Sequence, residues 1–298
     1  MFSLIKKWAG FVKFSHTIFA LPFALAAMAV AARDNHGWPG WTKFALILAA
    51  MICARTCAMS FNRIVDRRFD AANPRTAARH LATGTISLAS AWTLWGLSAA
   101  GLIAASYFLN ALCFYLSPVA IAVICFYSLT KRFTDYTHAW LGAALALAPI
   151  GGWLAVRGME IQLVEVVTML TLAAAVIFWL IGFDIIYALQ DYEFDRAHGL
   201  HSLVVAWGPT NALKGAFLAH LLMWGLLFAF GLLCRFRVAY LVGLLLILGC
   251  LLLEHWLARR RSLTWINTAF FRLNAVISVI FLMVILLEVI FQGGFRLR

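Results

Sequence analysis

Charged residues are scarce in this sequence. Aspartate, glutamate, lysine and arginine make up 12% of the 298 residues, whereas 64% are apolar and the mean hydropathy is +0.91. Soluble domains carry about 25% charged residues, so this composition excludes a soluble globular protein. The apolar residues form long runs and not short alternating segments, which indicates membrane-spanning α-helices that satisfy their own backbone hydrogen bonds in lipid.

Paired cysteines and a cleavable leader are also missing. All six cysteines lie inside apolar runs without a CxxC pair, so we interpret them as small core residues and not as disulfides or metal ligands. The N-terminus carries Lys6, Lys7 and Lys13, but no convincing small-residue cleavage site follows the first apolar run. We therefore expect residues 15–32 to be a retained first span. The cysteines are Cys53, Cys57, Cys113, Cys125, Cys234 and Cys250.

The apolar runs predict an all-α polytopic membrane protein in which residues 1–298 form one domain. Nine spans are expected, at 14–32, 42–62, 88–109, 111–130, 138–156, 165–190, 209–231, 238–257 and 268–292. If the N-terminus is inside, the inner segments hold fourteen lysines and arginines and the outer ones seven. That bias follows the positive-inside rule. The net charge of +12 is thus explained by topology, and no nucleic-acid partner is expected.

A first polar stretch ends the second span. Asn62, Asp66 and Asp70 are spaced four residues apart, so on a helix they share one face. Carboxylates at this spacing repel each other by a few tenths of a kcal/mol unless a cation lies between them. Two acids on one face at the edge of the hydrocarbon indicate a divalent ion.

A second polar stretch ends the sixth span more than a hundred residues later. Asp184, Asp191 and Asp195 fall at i, i+7 and i+11, which predicts another single helical stripe. Together with Glu193, the two stretches hold six of the twelve acidic residues in the chain. Scarce acids at matching helix ends of a membrane protein indicate a functional site, and the predicted topology brings both stretches to the cytoplasmic side.

Two carboxylate clusters with interleaved basic residues suit a diphosphate. Mg²⁺ binds through one or two carboxylates together with phosphate oxygens of the substrate, so one ion at each cluster could clamp a diphosphate. Arginine and lysine neutralise the remaining charge, and apolar helices would dissolve an isoprenoid tail. The candidate basic residues are Arg67, Arg75, Arg79, Lys131 and Arg132.

These motifs resemble the UbiA superfamily of intramembrane prenyltransferases. The resemblance rests on Asn62xxxAsp66xxxAsp70, on Asp191xxxAsp195 preceded by Asp184xxTyr187, and on further matches at Arg55, Arg75 to Arg79, Thr83-Gly84, Tyr127xxxLys131-Arg132 and Gly199 to Ser202. Within the superfamily the chain looks most like bacterial 4-hydroxybenzoate polyprenyltransferases. The resemblance implies nine helices around a central cavity, two Mg²⁺ ions, a polyprenyl diphosphate donor and C-prenylation of an aromatic acid. It also implies the bacterial inner membrane.

The resemblance also implies roles for single residues. The catalytic aspartates would hold the metals, with Asn62, Asp66 and Asp70 at the first ion and Asp191 and Asp195 at the second. Arg55 would face the carboxylate of the acceptor, which gives a buried arginine a partner. Substrate-binding residues would include Asn62, Arg67, Arg75, Arg79, Tyr127, Lys131, Arg132, Asp184 and Tyr187.

Several alternatives remain open at this point. Many ubiquinone-pathway members read Asn-Asp and Arg-Pro-Leu where this chain has Asn62-Arg63 and Arg79-His80-Leu81. Relatives that prenylate 1,4-dihydroxy-6-naphthoate look more similar there, so this compound is the second candidate acceptor.

A protein of a different class, a divalent-cation transporter, is the other alternative. It would place acids on broken helices near the bilayer midplane. Asn274 in the last span could join helices or line a pocket. Prenyl length and oligomeric state are left undetermined.

Overall fold

Long α-helices make up most of the computed structural model, which describes residues 2–34, 37–259 and 268–293. Nine helices in these ranges are long and apolar enough to cross a membrane, as the sequence predicted. The helices are α1 Phe2–Phe11, α2 Thr17–Arg33, α3 Trp41–Ala72, α4 Leu88–Leu109, α5 Ala111–Thr130, α6 Thr137–Arg157, α7 Leu163–Ala188, α8 Tyr192–Ala197, α9 Leu203–Leu233, α10 Val238–Ala258 and α11 Asn274–Gly293. A π-helical segment, Thr268–Leu273, precedes α11.

Short polar caps separate the spans. The side chain of Asn110 accepts a hydrogen bond from the Cys113 backbone N–H and begins α5 directly after α4. Ser202 caps α9 in the same way, which follows the general preference for small oxygen-bearing residues at this position. Gly208 has a φ of 75° inside α9, so the regular helix resumes at Pro209, where the sequence predicted the span to begin.

Helix α2 lies in the interior of the bundle and packs on α6 and α11. Its inner surface is built from buried alanines, including Ala24, Ala27 and Ala31. Gly152 of α6 faces this surface so closely that a methyl group added there would overlap the carbonyl of Ala24. Small residues let helix backbones approach where lipid supplies little drive for association.

A buried polar network joins α7, α10 and α11. Asn274 donates a hydrogen bond from Nδ2 to Oε1 of Glu254 at 2.7 Å and accepts one at Oδ1 from the indole N–H of Trp179, also at 2.7 Å. All three side chains are buried. Asn274 therefore joins helices, and it is not among the residues that line either cavity described below.

All six cysteines are free in the structure. Cys57, Cys125 and Cys234 are buried, as expected of core residues, whereas Cys53, Cys113 and Cys250 are only half-buried.

The second aspartate stretch differs from the prediction. Helix α7 ends at Ala188, a 3₁₀ turn follows at Leu189–Asp191, and α8 begins at Tyr192. Asp184, Asp191 and Asp195 therefore do not lie on one uninterrupted helix. A 3₁₀ turn advances about 120° per residue instead of about 100°, so the side chains that follow it point in a different direction.

Candidate active site

The first aspartate stretch lies in the last turns of α3. Asn62 donates a hydrogen bond from Nδ2 to Oδ2 of Asp66 at 2.8 Å, because residues four apart on a helix are neighbours. The other oxygen of Asp66 accepts a hydrogen bond from Arg132 at 2.9 Å. Asp70 is buried and pairs with Arg79 at 2.5 Å and more distantly with Arg63 at 3.8 Å. Each carboxylate of this stretch thus already has a cationic partner.

The loop after α3 connects the two aspartate stretches. Asn73 accepts the backbone N–H of Arg75 at its side-chain oxygen and donates its amide to Asp191 at 3.0 Å. Arg75 binds both oxygens of Asp191, at 2.8 Å and 2.5 Å, and donates to the Tyr187 hydroxyl at 2.9 Å. This two-pronged geometry is the strongest arginine–carboxylate arrangement. It holds the second stretch against the end of α3.

The remaining aspartates of the second stretch also have partners. Asp195 is buried and lies 3.3 Å from the Lys131 amine at the end of α5. Asp184, deeper in α7, lies 2.6 Å from Nδ1 of the buried His138 on α6. Buried charges need such partners because leaving one uncompensated costs several kcal/mol.

One cavity of about 420 Å³, here called the polar chamber, brings these side chains together. Of the residues that the sequence singled out for binding or catalysis, only Arg67 is absent from its lining. On α3 the lining residues form one stripe, and Arg67 follows Asp66 by one position, about 100° around the helix. The singled-out residues that line it are Arg55, Asn62, Asp66, Asp70, Arg75, Arg79, Tyr127, Lys131, Arg132, Asp184, Tyr187, Asp191 and Asp195.

A second cavity of about 280 Å³, the apolar chamber, adjoins the first. Its walls come from α2 to α6 and are mainly aliphatic. Arg55 and Tyr127 line both cavities, as do His16, Phe19, Leu141 and Leu145. The two chambers therefore meet at these side chains, so an amphiphile with an anionic head and an apolar chain would find suitable surroundings for both parts.

Two basic residues of the polar chamber, Lys131 and Arg75, remain charged at neutral pH. Burial by itself would lower the pKa of Lys131, but the carboxylates of Asp195, Asp191 and Asp184 outweigh burial and raise it above the ordinary value. Burial likewise opposes the charge on Arg75, yet its hydrogen bond to Asp191 raises the net pKa. A raised pKa favours the protonated form, so these cations lose their charge only at strongly alkaline pH.

The oxygen donors of the chamber fit Mg²⁺. Four aspartates and the Asn62 amide supply hard oxygen ligands, which Mg²⁺ prefers. In the described residues, however, no three acidic, histidine or cysteine side chains converge closely enough to hold an ion by themselves. Mg²⁺ is commonly bound by one or two carboxylates together with substrate phosphates, so a split donor set fits an ion that enters with a diphosphate.

Some residues of the site escaped sequence reasoning. Asn73 contacts Asp191 and His138 contacts Asp184, but neither residue stands out in the sequence because each lies far along the chain from its partner. Lys13 lines the polar chamber although it resembles a topology-determining lysine in the sequence. Arg63 also lines the chamber, and its position three residues before Asp66 and seven before Asp70, on the same side of α3, was the available indication.

Comparisons with known proteins agree with this architecture. The 4-hydroxybenzoate octaprenyltransferase of Pseudomonas aeruginosa strain LESB58 is 30% identical over 231 residues, which cover 76% of this chain and 74% of the relative. The enzyme of the same name from Coxiella burnetii strain Dugway 5J108-111 is 30% identical over 84% of this chain and 85% of its own length. Both similarities extend over most of the polypeptide.

Solved structures share the fold. The apo structure of a UbiA homolog from Aeropyrum pernix K1 superimposes with a TM-score of 0.82 at 32% identity, covering 92% of this chain and 98% of the other. A UbiA homolog from Archaeoglobus fulgidus bound to GPP and Mg²⁺ gives a TM-score of 0.72 at 22% identity, covering 94% and 99%. Residues 20–276 match the UbiA prenyltransferase family. The chain therefore belongs to the UbiA prenyltransferase family.

Proposed function

We propose that this protein catalyses the Mg²⁺-dependent transfer of a polyprenyl group from a polyprenyl diphosphate to an aromatic acid, with 4-hydroxybenzoate as the leading acceptor. One observation carries the proposal. Two aspartate stretches that lie more than a hundred residues apart line the same polar chamber, and basic residues that suit a diphosphate line it with them. An apolar chamber adjoins it.

Binding of the polyprenyl diphosphate would break the ion pairs between the basic residues and the aspartates of the polar chamber. Arg75, Arg79, Lys131 and Arg132 now neutralise aspartates, and they would turn to the diphosphate oxygens. The aspartates, with Asn62, would then be free to hold Mg²⁺ at two positions. When bound, Mg²⁺ supplies stabilisation of the negative charge on the departing diphosphate. The homolog solved with GPP and Mg²⁺ supports a prenyl diphosphate and Mg²⁺ as the molecules that bind here.

The prenyl chain would extend into the apolar chamber. The C–O bond to the diphosphate breaks with its electron pair leaving on oxygen, and a ring carbon of the acceptor bonds to the allylic carbon. The ring then loses a proton to the departed diphosphate or to an aspartate of the polar chamber. Tyr127 and Phe19 lie where the chambers meet, and aromatic faces stabilise nearby cations. Exclusion of water by the bound prenyl chain and acceptor would protect the allylic cation from hydrolysis.

Arg55 would orient the acceptor. It lines both chambers and forms no ion pair with a carboxylate of the described residues. Its buried Nε also has no hydrogen-bond partner. A half-buried arginine in this state favours an anionic ligand, and the relatives named as 4-hydroxybenzoate octaprenyltransferases support a benzoate. 1,4-Dihydroxy-6-naphthoate carries the same carboxylate on a larger ring and is the second candidate acceptor.

The positive-inside bias supports an inner-membrane protein whose chamber faces the cytoplasm.

A divalent-cation transporter would use similar aspartates. In this chamber, however, Arg132, Arg79, Arg75 and Lys131 pair with four of the five, and they would repel a cation that arrives without an anion. The geometry therefore favours a metal–diphosphate pair over a lone ion.

The proposal is tested with membranes that contain the protein, labelled farnesyl diphosphate, Mg²⁺ and each candidate acceptor. We expect a prenylated aromatic acid with at least one acceptor and none when EDTA replaces Mg²⁺. Product formation with the naphthoate alone would replace the leading acceptor. Divalent-ion flux into sealed vesicles without any prenylated product would instead support the transporter.

A further inference from the structure

Positive charge exceeds negative charge in the polar chamber. Its lining includes seven lysine and arginine side chains but only five aspartates. Four of these aspartates pair with arginine or lysine, and the fifth, Asp184, pairs with His138. Among the described residues, Lys13 and Arg55 are the two lining cations that form no ion pair with a carboxylate. Neither residue belongs to the set proposed above for the diphosphate, which is Arg75, Arg79, Lys131 and Arg132.

Lys13 adopts an uncommon backbone conformation. Its φ of 50° and ψ of 52° place it in the left-handed region, between α1 and the short 3₁₀ turn Phe14–His16. Residues other than glycine adopt this conformation at a cost of about 1 kcal/mol or more, and such residues cluster at functional sites. The conformation lets the chain turn from α1 towards the first span while the Lys13 side chain lines the polar chamber.

Backbone contacts hold Lys13 beside Arg55. The Lys13 carbonyl accepts a hydrogen bond from Nη2 of Arg55 at 3.3 Å and from the backbone N–H of His16 at 2.9 Å. Arg63 reaches the same segment, because its Nε donates to the carbonyl of Phe11 at 3.5 Å. The segment that carries Lys13 is therefore attached to the helix that carries the first aspartate stretch.

We propose that Lys13 is a specificity-determining residue that, together with Arg55, binds the carboxylate of the aromatic acceptor. This inference rests on the proposed function and adds a second cation from the N-terminal segment to the arginine of α3. Two cations, Lys13 in the polar chamber and Arg55 where the chambers meet, would select an acceptor with a carboxylate over a neutral phenol. They would also hold its ring where the allylic carbon arrives.

The electrostatic surroundings of Lys13 support this role. Partial burial and the nearby charges of Arg63, Arg79, Arg75 and Arg55 lower the pKa of Lys13 below its ordinary value. The ammonium group is thus repelled by its neighbours in the absence of an anion. A carboxylate beside it would relieve this repulsion and add a charge-assisted hydrogen bond.

The test compares Lys13→Gln and Lys13→Arg with a control, Lys6→Gln, which changes an exposed lysine of the preceding helix α1 that does not line the chamber. Steady-state transfer from farnesyl diphosphate is measured to 4-hydroxybenzoate, to 1,4-dihydroxy-6-naphthoate and to the corresponding carboxamides. For Lys13→Gln we expect the KM of the carboxylate acceptor to rise about tenfold or more, the size of one charge-assisted hydrogen bond. The KM of farnesyl diphosphate should stay within about twofold of the wild-type value, because other cations bind it.

Two further results are expected. Lys13→Arg should restore most of the acceptor affinity, and Lys13→Gln should reduce the preference for the carboxylate over the carboxamide. An active Lys13→Gln variant with an unchanged acceptor KM would overturn the inference, and so would a rise confined to the KM of farnesyl diphosphate. A wild-type protein that transfers to no aromatic acid would overturn the proposed function itself, so the two failures are distinguishable.

Discussion

At the scale of single residues, the site consists of exchangeable ion pairs. Asp191 is bound by both Arg75 and Asn73, and Asp66 by both Arg132 and Asn62. Such pairs make a buried cluster of charges tolerable before substrate binds, since an uncompensated buried charge costs about 3–5 kcal/mol. They also keep each carboxylate and each cation in position for new partners.

Removing the charge of one aspartate should therefore abolish transfer. We expect Asp66→Asn and Asp191→Asn each to reduce kcat/KM by about a thousandfold or more, because the metal–diphosphate unit loses a ligand. Glu193→Gln is the matched control, since Glu193 is an exposed acid of the second stretch that does not line the chamber. Transfer assays are combined with thermal unfolding to show that the variants fold. Near-normal turnover of Asp66→Asn would contradict the metal-binding role.

At the scale of elements, two devices set the geometry of the site. The loop that starts at Asn73 places Arg75 against Asp191. The 3₁₀ turn Leu189–Asp191 changes the direction in which the side chains of the second stretch point. These devices act only if the spans around them are packed in the correct register. At the contact between Gly152 of α6 and Ala24 of α2, the two backbones can approach this closely only because Gly152 has no side chain.

A methyl group at this contact should destabilise the bundle. We expect Gly152→Ala to lower the free energy of unfolding by about 1–3 kcal/mol, as overpacking does elsewhere, because the new methyl overlaps the carbonyl of Ala24. Gly151→Ala is the control, since a methyl group there meets no atom within 4 Å of the described structure. Thermal unfolding in detergent measures both variants. Equal stability of the two variants would contradict this account of the α2–α6 contact.

At the scale of the whole molecule, the site joins parts of the bundle that are remote in sequence. The first stretch belongs to α3, the second to α7 and α8, and Lys131 follows α5. A metal–diphosphate unit bound between them would connect these helices. Ligands that bind only the folded state stabilise it by mass action, so thermal stability reports whether this connection forms.

We expect Mg²⁺ and a prenyl diphosphate together to raise the midpoint of thermal unfolding by more than the sum of their separate effects. The reason is that the described residues contain no group of three acidic, histidine or cysteine side chains that could hold an ion by itself. The substrate's phosphate oxygens must supply the missing ligands. Thermal unfolding is followed with Mg²⁺ alone, with farnesyl diphosphate in EDTA, and with both. A full shift produced by Mg²⁺ alone would indicate a preformed metal site and contradict this prediction.

The sequence by itself determined the class of protein, the nine spans and the two aspartate stretches. These features are local, because lipid requires each span to be a continuous apolar run, and because residues four apart on a helix share a face without help from other elements. The exclusion of Arg67 from the polar chamber also follows from helical geometry, once the lining stripe of α3 is known.

Tertiary structure decided which charges meet. Asn73 and Asp191 are 118 residues apart, and Asp184 and His138 are 46 apart, so no local pattern could pair them. The break between α7 and α8 and the place of Lys13 beside Arg55 likewise depend on how a loop and a terminal segment pack. Ion pairs act over a few ångströms in space, and only the packed bundle brings residues from distant parts of the chain within that range.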